Sequence, residues 1–223
     1  MIQAVIFDMD GTIFDTERLL LRAWQELVRQ GLIPEKVLEL LPSWRGMNRR
    51  EICKRLTELA GGSFSPEPFY AKRRAIMGEL LDQEGVPLKP GVPNIFEQLR
   101  EMGYSMALAT ATSRESVEDY MNRTGYGSYF DSIVTGDRVD RCKPAPDIFL
   151  LAARELGIAP EHCVVVEDSI NGVLAGSAAG MRVIMVPDMD QPDESLRSHL
   201  WHCCDTLAQI PNLLAQTRID QEE

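Results

Sequence analysis

The 223 residues carry 34 acids against 23 bases, a formal net charge of −11 that opposes non-specific attraction to nucleic acid or to an anionic membrane. With 44% hydrophobic and 26% charged residues, the composition is that of a globular protein and not of a fibre or a disordered chain. No apolar run approaches the roughly twenty residues of a membrane span, and the five irregularly spaced cysteines (Cys53, Cys142, Cys163, Cys203, Cys204) form neither a disulfide framework nor a zinc set, so a cytoplasmic protein is expected.

In chain order, the apolar run Ala4-Val5-Ile6-Phe7 predicts a buried strand that delivers Asp8 and Asp10 into a turn at Gly11-Thr12. Residues 16 to 84 then show helical patterns and no strand. Leu19, Leu20, Ala23, Trp24, Leu27 and Val28 share one face that ends at Gly31. Asn48 with Glu51 resembles a capping box opening a helix that runs to Gly61-Gly62, and Ser65-Pro66 opens another with Phe69, Ile76 and Leu80 on one side. The short basic cluster Lys72-Arg73-Arg74 reads as a solvated helix face.

From Pro90-Gly91 the texture changes. Ser105 to Ala109, Ser132 to Val134, Cys163 to Val166 and Val183 to Val186 read as short buried strands. Amphipathic helices are expected near Ile95 to Met102, Arg114 to Thr124, Asp147 to Leu156 and Ile170 to Ala179. The fold class is therefore α/β, a three-layer, Rossmann-like parallel sheet core with an inserted α-helical cap. Its expected bounds are a discontinuous core of residues 1–14 and 90–215, a cap of 15–89, and a frayed tail of 216–223.

In open α/β sheets ligands bind outside the carboxyl ends of the strands. Those ends carry Asp8 and Asp10, then Thr110-Ala111-Thr112, then Lys143-Pro144, then Glu167-Asp168 with Asn171 following. Thr112 reads as the cap of the next helix, with Glu115 at its third position, which leaves Thr110 at the strand tip. Acids, a hydroxyl and a lysine gathered this way suit the handling of a phosphate. A carboxylate about 4 Å from a phosphate dianion is repelled by about 8 kcal/mol at an effective dielectric of about 20. A divalent cation and a lysine offset that repulsion, and magnesium accepts such oxygen ligands.

These four segments, in order, resemble the motifs of the haloacid dehalogenase superfamily, in the capped branch of phosphoglycolate phosphatases, sugar-phosphate phosphatases and β-phosphoglucomutases. The resemblance covers nearly the whole chain. It implies that Asp8 is the nucleophile, that Asp10 is the general acid and base, and that Thr110, Ala111 and Lys143 bind the phosphoryl group. It further implies Mg2+ as cofactor, held by Asp8, the Asp10 carbonyl, Asp168 and Glu167. Arg49, after the loop Trp44-Arg45-Gly46-Met47-Asn48, would contact a second anionic or hydroxyl-rich part of the substrate. The mutases of this branch place a histidine where this chain has Leu20, which points to hydrolysis. The expected partner is a small phosphorylated metabolite, with no nucleic acid and no membrane, and the expected state is a monomer or weak homodimer. A response-regulator receiver gathers similar groups but lacks the cap and the second acid.

Overall fold

The computed structural model describes residues 1–60 and 65–219. Six strands, β1 (Ala4–Phe7), β2 (Ser105–Ala109), β3 (Ser132–Val134), β4 (Cys163–Glu167), β5 (Arg182–Met185) and β6 (His202–Cys203), form one sheet in the order β3-β2-β1-β4-β5-β6. Every neighbouring pair is parallel. The strand alternation sorts the core into two layers. Ala4 and Ile6 face the side covered by α7 (Asp147–Leu156) and α8 (Ile170–Ala178), whereas Val5 and Phe7 join Ile95, Phe96 and Leu99 of α5 (Asn94–Glu101) on the other. Apart from Ala4, these buried side chains contribute roughly 1.5–3 kcal/mol each.

The expected strands and helices of this half are present with boundaries shifted by at most a residue, and α6 (Arg114–Thr124) ends where the pattern placed it. The structure adds the two-residue edge strand β6, the single-turn helix α9 (Glu194–Arg197) and α10 (Ile210–Ile219). The last of these runs past residue 216, where a tail was expected to begin. Ile210 and Leu214, one helical turn apart, are buried, and α10 lies against α5, so the helix continues to Ile219. Residues 220–223 lie outside the described residues.

Between β1 and α5 the described residues form four helices: α1 (Glu17–Arg29), α2 (Val37–Trp44), α3 (Arg49–Ala60) and α4 (Pro66–Glu84). Helix α1 buries Leu19, Ala23, Trp24 and Leu27, the positions its period selects. Helix α2 is absent from the sequence reading because Pro42 sits inside it and removes an internal donor. Asn48 Oδ1 does accept the Glu51 N–H at 3.1 Å, while the Glu51 carboxylate turns to Arg55. The end expected at Gly61-Gly62 falls outside the described residues.

The two chain crossings between this insertion and the sheet run side by side. Phe14 pairs with Leu88, Asp15 N–H donates to Pro87 O (2.9 Å) and Lys89 N–H to Ile13 O (2.9 Å). Among the described residues no helix is long and apolar enough to cross a membrane.

Candidate active site

The register fixes what meets at the sheet's carboxyl edge. Phe7 lies opposite both Leu108 and Val166, so the residues that follow, Asp8, Thr110 and Glu167-Asp168, emerge side by side from three adjacent strands. The strand order also reverses here, with β2 on one side of β1 and β4 on the other, which opens a crevice. A cavity of about 520 Å3 lies over this edge, floored by Asp8, Asp10, Thr110, Ala111, Glu167 and Asp168 and roofed by the inserted helices.

Lys143 reaches the floor from the loop before α7. It is 1% exposed, and its Nζ donates to Asp8 Oδ1 (2.5 Å), Glu167 Oε1 (2.7 Å) and the Ala109 carbonyl (3.3 Å). An ammonium has three donors, so these acceptors use them all. Burial alone would lower the lysine's pKa, but Asp8 and Glu167 outweigh it and hold the ammonium charged.

Glu167 is equally committed, because its other oxygen accepts the N–H groups of Asp168 (2.8 Å) and Ser169 (2.7 Å). Gly172 makes room for it: a Cβ there would fall 1.6 Å from Glu167 Oε1. Gly11, at φ +85°, likewise leaves space for Asp168, whose Oδ2 would lie 2.3 Å from an added Cβ. Thr12 donates to the other Asp168 oxygen at 2.9 Å.

Burial pushes the Asp8 carboxyl up to about 7 against the pull of Lys143. Asp168 is raised well above the usual carboxylate range by burial and by its neighbours Glu167 and Asp8. Oxygens of Asp8, Glu167 and Asp168 all lie within 4.8 Å of one another. This hard, oxygen-only donor set, with more negative charge than one lysine balances, fits a small divalent cation. Since both Glu167 oxygens are already engaged, Asp8 and Asp168 have the greater capacity left for it.

Asp10 is fixed by two hydroxyls that the sequence reading did not assign to the site. Thr16 Oγ1 donates to Oδ1 (2.5 Å) and Thr112 Oγ1 to Oδ2 (2.6 Å), while burial raises the carboxyl's pKa. Thr112 is thus not the helix cap. Ser113 occupies that position, and the Thr112 N–H donates to Thr110 Oγ1 at 3.1 Å, leaving the Thr110 proton for another acceptor. Glu115 pairs with Arg74 of the insertion instead of closing a capping box.

The basic cluster on α4 is solvated at Lys72 and Arg74, as expected, but Arg73 is half-buried. Arg73 and Arg74 line the cavity, and Arg73 lies 4.6 Å from the Tyr70 ring centroid and 5.5 Å from that of Trp24. Arg49 lines the same cavity, 4.6 Å from the Tyr70 ring. Asn171 donates to the Arg45 carbonyl (2.7 Å), tying the first turn of α8 to the inserted loop before α3. Glu17, at the start of α1, also faces the cavity and is pushed up to about 8 by burial and by Asp10. No short motif marked Thr16 or Glu17, and Arg45 and Arg73 stood out only as members of the loop before α3 and of the basic cluster.

A parallel α/β sheet that gathers buried carboxylates, hydroxyls and one lysine beneath a helical roof defines an enzyme with an anion-handling centre. Residues 2–180 match the family model of haloacid dehalogenase-like hydrolases, and the chain belongs to that family. It is 35% identical over 199 residues to protein CbbY of Cereibacter sphaeroides, covering 84% of this chain and 85% of that one. It is 34% identical over 189 residues to the fructose-1-phosphate phosphatase YqaB of Escherichia coli, covering 82% and 95%. The crystal structure of CbbY from Rhodobacter sphaeroides in complex with phosphate superposes with a TM-score of 0.80 at 29% identity, over 94% of this chain and 96% of that one.

Proposed function

We propose that the protein is a magnesium-dependent phosphatase that hydrolyses a small phosphorylated sugar through a phosphorylated Asp8. The observation that carries this reading is the pairing at the end of β1: Asp8 held by Lys143, and Asp10, two residues on, clamped by Thr16 and Thr112. The name of the E. coli relative, a fructose-1-phosphate phosphatase, supports the substrate class.

On this reading an Asp8 oxygen forms a bond to phosphorus as the bond to the alcohol oxygen breaks, and Asp10 gives its proton to that oxygen. Burial, which raises Asp10, favours the protonated form needed for this step. Water then attacks phosphorus, Asp10 takes its proton, and the Asp8–phosphorus bond breaks to release phosphate. Thr110 and the Ala111 segment orient phosphoryl oxygens, while Lys143 keeps Asp8 ionised. Asp8, Asp168 and the Asp10 carbonyl would hold magnesium, which when bound supplies positive charge against the dianion. Glu167 positions Lys143 and the loop after β4.

The insertion of residues 15–89 serves as the cap that excludes water, and Arg49 contacts a remote anionic or hydroxyl-rich part of the substrate. Leu20, which lines the cavity, has no proton to relay, and this favours hydrolysis over mutase chemistry. The test is phosphate release from a panel of sugar phosphates with magnesium. It should be lost in Asp8→Asn and in excess chelator; full activity in either would refute the mechanism.

A further inference from the structure

The loop after β5 grips the insertion at two positions that flank a cavity residue. Asp188, whose side chain is 3% exposed, accepts from Lys89 Nζ at 2.9 Å. Lys89 belongs to the second chain crossing, and its N–H is already bonded to Ile13 of the first. Asp190 pairs with Arg45 of the inserted loop before α3, and each of these side chains is 13% exposed. Asn171 holds the same inserted loop through the Arg45 carbonyl at 2.7 Å. That loop lies close against the core: a Cβ at Gly46 would fall 3.3 Å from the Asn171 Cβ and 3.5 Å from the Lys143 Cβ. Between the two acids, Met189 lines the cavity. Consecutive residues of one core loop thus meet the crossing, the cavity and the insertion.

Over the β2 half of the sheet the bridges are of another kind. Arg74 of α4 pairs with Glu115 of α6, and Asp82 with Arg123, but Arg74, Glu115 and Asp82 are each more than half exposed. Exposed pairs of this sort contribute little and are screened by salt, whereas a sheltered pair costs much more to break. We infer that Asp188 and Asp190 are positioning residues: paired with Lys89 and Arg45, they hold the inserted helices seated over the sheet before substrate arrives, and so set the fraction of molecules ready to bind it. Neither acid lines the cavity, so their influence reaches the substrate only through that seating. A protein whose binding-competent arrangement is partly populated shows an affinity reduced by that fraction. The effect on KM rests on the phosphatase reading above; the seating itself does not.

The experiment follows amide hydrogen exchange in the substrate-free protein at residues 44–48, with β4 as the control, and measures KM and kcat on the best-hydrolysed sugar phosphate. In Asp190→Ala, exchange at 44–48 should quicken and KM should rise, each about fivefold or more, while β4 stays as slow as in wild type and kcat does not fall. Asp190→Glu, which keeps the charge, should restore most of both. Lys89→Met cuts the pair at the crossing; it should act in the same direction, and it serves if Asp190→Ala does not fold. Exchange at 44–48 within about twofold of wild type in whichever variant folds would overturn the inference, as would a fall in kcat at unchanged KM. Exchange that quickens as expected in a protein that releases phosphate from no substrate would refute the phosphatase reading while supporting the seating.

Discussion

Replacing Lys143 with methionine leaves Asp8 and Glu167 buried without their cation. At 2.5 and 2.7 Å the two contacts are worth about 7 and 6 kcal/mol of gross attraction at an effective dielectric of about 20. Most of that is cancelled by the cost of taking the lysine out of water, and breaking such a pair by removing one partner costs about 3–5 kcal/mol net. For a chain of this size each kcal/mol shifts the melting temperature by about 2–4 °C, so Lys143→Met should melt about 6–20 °C below wild type.

The assay is thermal unfolding followed by circular dichroism in chelator, at pH 6 and pH 8. Asp8 binds its proton more tightly folded, at about 7, than unfolded, at 3.8, so its contribution to stability falls as pH rises through that window. Lys143 restrains this effect, and without it the window extends further up. The gap between variant and wild type should therefore widen from pH 6 to pH 8. The double variant Lys143→Met/Glu167→Gln, with one fewer stranded charge, should recover part of the loss. A single variant melting within about 2 °C of wild type at pH 8, or a gap that narrows with pH, would refute the reasoning.

Gly172→Ala places a Cβ 1.6 Å from Glu167 Oε1 and should displace the carboxylate that steadies Lys143, costing about 1–3 kcal/mol of stability by overpacking. A melting curve and turnover equal to wild type would show that Glu167 can move freely. Thr112→Val removes the hydroxyl donated to Asp10, and since hydrogen bonds to charged groups are worth about 1.5–3 kcal/mol, kcat should fall about 10-fold to 150-fold while Thr112→Ser stays close to wild type. Because that hydroxyl lowers the Asp10 pKa, the valine variant's rate profile should also move to higher pH; an unmoved profile would place Thr112 outside the proton transfer.

The sheet was legible in the sequence because buried parallel strands are runs of apolar, β-branched residues, and because ligand groups in such folds follow strand ends. Asp8, Thr110 and Glu167-Asp168 could be found from that rule alone. Lys143 could be found as well, but its commitment to three acceptors could not, since which carboxylates it meets depends on the register of β1 with β4. Thr112 was misread because a threonine three residues before a glutamate matches a cap locally, while the competing acceptor, Asp10, lies 102 positions away. Helix α2 was hidden by Pro42, and α10 by the short buried pattern of Ile210, Pro211 and Leu214.

The contribution of the inserted helices was hidden for an electrostatic reason. A run such as Lys72-Arg73-Arg74 is usually solvated, and only the fold reveals a neutral aromatic surface that holds guanidinium groups without cancelling their charge. Tyr70 does this for Arg73, which lines the cavity. The core edge is the opposite case: its carboxylates outnumber its lysine, and that lysine is fully engaged. On the proposed reaction, a phosphate dianion entering over this edge meets a net negative floor, and the cation set by Asp8 and Asp168 offsets only part of it. The remaining positive charge over the cavity is carried by the inserted helices. Substrate binding and the seating of those helices over the sheet should therefore favour each other, because each supplies charge that the other lacks.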